Sequence, residues 1–249
     1  MLEGSIGYVR ILSFDAGSGE AAVSAVEKLL ADGALGFIFD VRTNPGGLYS
    51  EMVTLLDYLL PSGDILVYVD STGAEEITKS DNVCLDMPMA VLVNSDSYAA
   101  AEFFAAALKD YNWATIVGER TTGKGRSQIT VELTDGSAVH ISNGKYLTPN
   151  RTDLSAEGGL RPDIDTALTD SGDAQLSAAL SEVQWQTRVY AVDRQEKAYY
   201  NTTGRDRLTL LKRNRQPTYI LRGRSVMAAE SKYKMSQERY DEIKQELHY

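Results

Sequence analysis

A single cysteine, Cys84, in 249 residues excludes an intramolecular disulfide and gives no basis for a cysteine-built metal cluster. A lone thiol of this kind is expected to serve as a small buried hydrophobe. No apolar run reaches the ~18 residues needed to span a membrane. The amino terminus, Met1-Leu2-Glu3-Gly4-Ser5, has neither the basic nor the apolar region of a secretory leader and reads as an expression remnant. Internal repeats and low-complexity segments are also missing. What is there is the composition of a globular chain, 43% apolar and 24% charged, long enough for one large domain or a domain with an appendage.

The formal charge of −10 is unevenly distributed. Residues 184–249 carry 14 basic and 8 acidic side chains while residues 1–183 carry 11 and 27, so a tail of +6 follows a body of −16. Basic residues interleaved with acids are a weak nucleic-acid signal. With so acidic a body, contact between tail and body is the expectation.

Strand and helix patterns alternate along the body. Ile6 to Ile11 alternates as a strand, Glu20 to Leu30 is an amphipathic helix, and Leu35 to Val41 is a continuous apolar strand of the kind buried on both faces. Asp40-Val41-Arg42-Thr43-Asn44-Pro45-Gly46-Gly47 then turns the chain into a helix from Leu48 to Leu60. Asp64 to Val69 and Glu75 to Ser80 read as short strands around Ser71-Thr72-Gly73. ITVELTDGSAVHISNGKYLTP reads as a hairpin turning at Asp135-Gly136, with His140 on its second strand as a structural rather than a triad histidine. In residues 205–224, β-prone pieces lie between Arg-rich turns, and Ser236 opens a terminal helix with acids in its first turn.

The most informative stretch runs from Ala90 to Gln128. An apolar strand, Met89 to Val93, ends in the polar turn Asn94 to Ser97, and an Ala-rich helix over Tyr98 to Leu108 follows. Such a strand–turn–helix presents unpaired helix N–H groups to a developing oxyanion, yet this turn holds no obvious nucleophile. A further strand, Ala114 to Val117, leads to Gly123-Lys124-Gly125, where glycines on both sides let a lysine be placed deep in a site. On spacing alone the same tripeptide reads as a surface turn.

Five segments together resemble the carboxyl-terminal processing peptidases, the tail-specific serine proteases that use a Ser–Lys dyad. Ser97-Tyr98-Ala99-Ala100-Ala101-Glu102 is similar to the family's Ser-Ala-Ser-Ala-Ser-Glu, and Gly123-Lys124-Gly125-Arg126-Ser127-Gln128 to its Gly-Lys-Gly-x-x-Gln. The turn at Asp40 to Gly47 matches Asp-Leu-Arg-x-Asn-Pro-Gly-Gly. Tyr146-Leu147-Thr148-Pro149 and Gly159-Leu160-Arg161-Pro162-Asp163 match the motifs that close the catalytic domain.

The resemblance covers about residues 6–183 and implies a ClpP/crotonase-like α/β fold of strand-helix units, followed over 184–249 by a small basic extension of unassigned role. It places Ala99 at the nucleophile, Lys124 at the general base and Gln128 at the residue orienting the lysine. Gly46 or Gly47, with Ala100, would form the oxyanion hole. A lysine acting as a base must be neutral, so Lys124 is expected in an apolar pocket between the helix and the strands. The substrate implied is a polypeptide docked as an added strand, with no cofactor, no metal and no nucleic acid; an oligomer is compatible with the family. Family members commonly work in the periplasm or cell envelope. Their peptide-binding PDZ domain is not seen ahead of Ile6.

Alanine at 99 leaves the dyad without its hydroxyl. Ser97 and Ser95 lie two and four residues earlier, where a helix entry turns side chains elsewhere. One Ser-to-Ala change beside an intact Lys124 and Gln128 reads as an engineered inactive form. The alternatives are a natural pseudoprotease that binds peptides, a crotonase-type acyl-CoA enzyme that the Gly-Lys-Gly segment fits poorly, and a nucleic-acid role for the tail.

Overall fold

The computed structural model describes residues 1–81, 83–169 and 172–201. In chain order, β1 (Ile6–Arg10), α1 (Ser18–Ala31), β2 (Gly36–Asp40) and α2 (Tyr49–Leu59) are followed by β3 (Gly63–Asp70), β4 (Glu75–Ser80) and β5 (Met89–Val93). Then come α3 (Ala100–Asp110), β6 (Thr115–Gly118), β7 (Arg126–Glu132), β8 (Ala138–Leu147), α4 (Leu154–Glu157), β9 (Ile164–Asp165) and α5 (Ala174–Asn201). The strands and helices expected from periodicity between Ile6 and Leu147 are present with ends shifted by up to three residues, while the β-prone pieces of 205–224 lie outside the described residues. The expected terminal helix at Ser236 lies outside the described residues.

Five strands form a parallel sheet in the order β1-β2-β5-β6-β9, joined through the crossover helices that parallel pairing requires. Strand periodicity distributes its apolar side chains to two cores. On one side Phe37 and Phe39 of β2, Met89, Val91 and Val93 of β5 and Ile116 of β6 pack with α1, α2 and α3. On the other, Ile38, Ala90, Leu92 and Val117 meet Ala179 and Val183 of α5. Full burial of side chains this size contributes ~1.5–3 kcal/mol each, so a continuous apolar run suits strands covered on both faces.

Helix α5 continues through residue 184 without a break, and Trp185 and Val189 on it are buried. The Tyr190 hydroxyl donates to the Asp86 carbonyl at 2.7 Å. Residues just past 183 therefore touch the body. A second, antiparallel sheet in the order β4-β3-β8-β7 stands beside the first, its β7–β8 hairpin closing at Asp135-Gly136. Cys84 is buried, as its lone status suggested.

Candidate active site

The turns that follow β2, β5 and β6 meet at one edge of the parallel sheet, the carboxyl ends of the strands, where α/β folds hold their ligands. Ala99 is the N-cap of α3 with φ 46° and ψ −114°, a left-handed conformation that an L side chain rarely adopts. Holding it there costs ~1–3 kcal/mol, which the surroundings must offset. The neighbouring helix-entry residues are heavily tied down. Tyr98 N–H donates to the Asn44 carbonyl at 2.9 Å, and the Ser97 hydroxyl donates to the Val41 carbonyl at 2.8 Å while accepting from Asn94 N–H. Ser97 is fully buried in that arrangement and so offers no substitute nucleophile.

Asn94 fastens this turn to the one after β2. Its Oδ1 accepts from Thr43 N–H at 2.8 Å and its Nδ2 donates to Thr43 Oγ1. Asn44, also buried, donates through Nδ2 to the Ile11 carbonyl and accepts Gly46 N–H on Oδ1 at 2.8 Å. Gly46 sits at φ 89°, and a Cβ there would stand 2.9 Å from the Tyr98 carbonyl oxygen and 3.1 Å from Ala99 Cβ. Only glycine lets this loop lie against residue 99.

Because Gly46 N–H is taken by Asn44, the two expected glycines are not equivalent. Among the described residues no acceptor meets the N–H of Gly47 or of Ala100, the latter in the first turn of α3 where intrahelical partners are lacking.

Glu102 organises the other side of the site. It is completely buried in the first turn of α3, whose other residues as far as Leu108 are apolar, and its carboxylate accepts four hydrogen bonds. Oε2 takes Ala99 N–H at 2.9 Å and Lys124 N–H at 2.8 Å; Oε1 takes Thr121 Oγ1 at 2.6 Å and Gly123 N–H at 2.5 Å. Sequence reading aligned this residue but gave it no role. A signal existed, since a glutamate three residues after an N-cap is half of a capping box, and alanine cannot supply the other half. Thr121 in turn accepts Leu160 N–H at 2.8 Å, and Gly125 N–H donates to Ser155 Oγ at 2.8 Å. Thus the closing motif around Leu160 braces the lysine loop.

The lysine itself departs from expectation. Lys124 is exposed, as is Gln128, which pairs with Ser142 across the hairpin. No hydrogen bond joins the two side chains among the described residues. The physical reason is that the anchors at Gly123, Lys124 and Gly125 grip main-chain N–H groups, so the backbone there is fixed while the lysine side chain is left without an apolar wall. His140 is exposed as well and bonds Thr130 at 2.8 Å across the hairpin, in keeping with its structural reading.

A charged network stands behind the site. Buried Asp40 accepts from Arg42 at 2.7 and 2.9 Å and from the Tyr8 hydroxyl at 2.6 Å; Arg42 reaches on to Asp173, just ahead of α5, at 2.8 Å. Burial, then the hydrogen bond to Asp40, pushes the Tyr8 phenol up to about 12. Burial by itself would lower the Arg42 value, but its bonds to Asp40 and Asp173 outweigh that and raise it. Arg42 in return holds the Asp173 carboxyl below its ordinary range. Among the described residues no group of His, Cys, Asp and Glu is arranged to hold a metal, and no helix is long and apolar enough to cross a membrane.

Comparison with known proteins identifies the family and the fold. The profile of peptidase family S41 matches residues 5–166. The C-terminal processing peptidase, chloroplastic, of Tetradesmus obliquus is 38% identical over 161 residues, covering 64% of this chain and 34% of that protein. The carboxyl-terminal-processing protease of Synechocystis sp. is 37% identical over 185 residues, 71% of this chain and 43% of its own. The chain thus spans less than half the length of these relatives. Among solved structures, that of a photosystem II D1 C-terminal processing protease superposes with a TM-score of 0.61 at 35% identity, over 67% of this chain and 45% of that one. The strand-helix architecture is accordingly ClpP/crotonase-like, and by profile, relatives and fold together the chain belongs to peptidase family S41, alongside the carboxyl-terminal processing proteases.

Proposed function

We propose that this chain is the catalytic body of a serine endopeptidase of the carboxyl-terminal processing type, working by a Ser–Lys dyad and disabled here by alanine at position 99. One observation carries the reading: residue 99 is held in a strained left-handed conformation, roofed by the Gly46 loop and joined to the Lys124 loop through a single Glu102 oxygen. A methyl group has no use for such placement; a nucleophile has.

With a serine there, Lys124 would take its proton, the oxygen would attack a peptide carbonyl, and the N–H groups of Gly47 and Ala100 would receive the oxyanion. The acyl-enzyme would then be hydrolysed by water. Lys124 must shed water before it can act as a base, and Gln128 would orient it once covered. A polypeptide lying in the site as an added strand is the cover that fits. Work outside the cytoplasm follows from the same family resemblance.

The test is Ala99→Ser incubated with unfolded casein beside Ala99→Ser, Lys124→Ala. Cleavage by the first and not the second is expected. A folded Ala99→Ser protein that binds casein without cutting it would replace the protease with a peptide-binding module.

A further inference from the structure

The β7–β8 hairpin has an apolar face that the site chemistry does not use. Ile129 stands directly opposite Ile141 and Val131 opposite Val139, and Leu133 continues the row at the tip. These five side chains are 39–45% exposed. The reverse face carries Gln128, Thr130, Glu132, His140 and Ser142, with Thr130 bonded to His140. Alternation this regular belongs to a sheet with one face covered, yet the described residues leave the apolar face in water. Single exposed hydrophobes are ordinary, but five in cross-strand contact form a patch. Among the described residues the outer edge of β7 is also unpaired, since β7 ends the order β4-β3-β8-β7.

Resting on the protease reading above, we infer that this arm is an exosite, its apolar face holding an extended, apolar stretch of the substrate polypeptide well away from the bond that is cut. Three considerations select that occupant. The patch offers only a few hundred Å², short of the ~800 Å² per partner of a stable dimer, but enough for a few residues of extended chain. Its charge is balanced, with Arg126 and Lys145 against Glu132 and Asp135, so it has no electrostatic claim on the basic residues 184–249. It is also continuous with the candidate site, because β7 begins two residues beyond Lys124. At ~3.3 Å per residue, Ile129 and Val131 lie ~16 and ~23 Å along the strand from Lys124, so a chain leaving the site meets them about five to seven residues out. Binding energy gained there favours long unfolded substrates over short ones.

The experiment uses Ala99→Ser with and without the combined change Ile129→Thr, Val131→Thr, Val139→Thr, Ile141→Thr, which keeps β-branching while removing the apolar face; Thr130→Ala on the reverse face is the control. The quadruple variant is expected to lose ~10-fold or more in kcat/KM on casein, through KM. Its kcat/KM on a five-residue peptide taken from a mapped casein cut should be unchanged, which also shows that it is folded. Equal losses on both substrates, or none on either, would overturn the exosite, as would a halving of molar mass on substitution, which would make the patch a dimer seam. Should the quadruple variant not fold, Val131→Thr, Ile141→Thr answers the same question. If Ala99→Ser cuts nothing, the protease reading fails by itself. The arm is then judged on fluorescein-casein binding by the Ala99 protein, which the quadruple change must weaken.

Discussion

One oxygen of Glu102 accepts the main-chain N–H of both Ala99 and Lys124, at 2.9 and 2.8 Å, so the two halves of the candidate dyad are positioned by a single buried carboxylate. Removing it should be severe. Glu102→Ala leaves four donors without their acceptor and is expected to lower stability by about 3–5 kcal/mol. Glu102→Gln, which presents an amide N–H2 to two of those donors, should lower it by about 1–3 kcal/mol. Urea unfolding of both variants checks the order; a neutral Glu102→Ala would mean that the loop has other anchors.

Gly46 should tolerate no side chain. At φ 89°, with a Cβ 2.9 Å from a carbonyl oxygen, Gly46→Ala combines backbone strain and overpacking and should destabilise by about 2–4 kcal/mol. Gly73, also at positive φ but with nothing within 4 Å of a Cβ, isolates the strain component. Gly73→Ala is therefore expected to shift the thermal midpoint much less than Gly46→Ala.

The Arg42–Asp173 pair gives a pH signature. Hydrogen bonding to Arg42 lowers the Asp173 value, so its contribution is present above the unfolded value of ~3.9 and is lost as pH falls through the lower folded one. The Asp173 side chain is 38% exposed, so the effect is small, ~0.5–1 kcal/mol at pH 7. Asp173→Asn, which keeps the capping oxygen for Leu176 N–H, should show that deficit at pH 7 and a progressively smaller one as pH falls below the ordinary carboxylate value. A deficit that is constant with pH would point to capping instead.

Tyr49 is a site where simplification should help. Its ring lies 4.0 Å from that of Tyr146 and 5.8 Å from Phe103, and its hydroxyl is buried with no hydrogen-bond partner among the described residues. Burial, with the nearby Tyr146 and Glu102 adding to it, pushes the phenol above its ordinary value. Tyr49→Phe keeps the ring packing and removes an unsatisfied group. Calorimetry should find it as stable as its parent or up to ~1 kcal/mol more so.

Much of this protein was decided locally. Period-2 and period-3.6 patterns gave β1, α1, α2 and α3 their places and continuous apolar runs gave β2 and β5 theirs, while the Pro-Gly-Gly and Gly-Lys-Gly turns marked the two loops of the site, because backbone geometry and glycine's access to positive φ act over a few residues. Tertiary structure decided the rest. Glu102 became an anchor only when crossovers brought β6 and its following loop back over α3, nineteen to twenty-two residues along the chain. Arg42 found Asp173 across 131 residues of sequence, a pairing no local rule foresees. Lys124, expected in an apolar pocket, stands exposed because Glu102 holds it by its main-chain N–H and no apolar side chain covers its stem. A residue's type and spacing say what it can do; the neighbours that bury it, bond it or leave it bare come from topology.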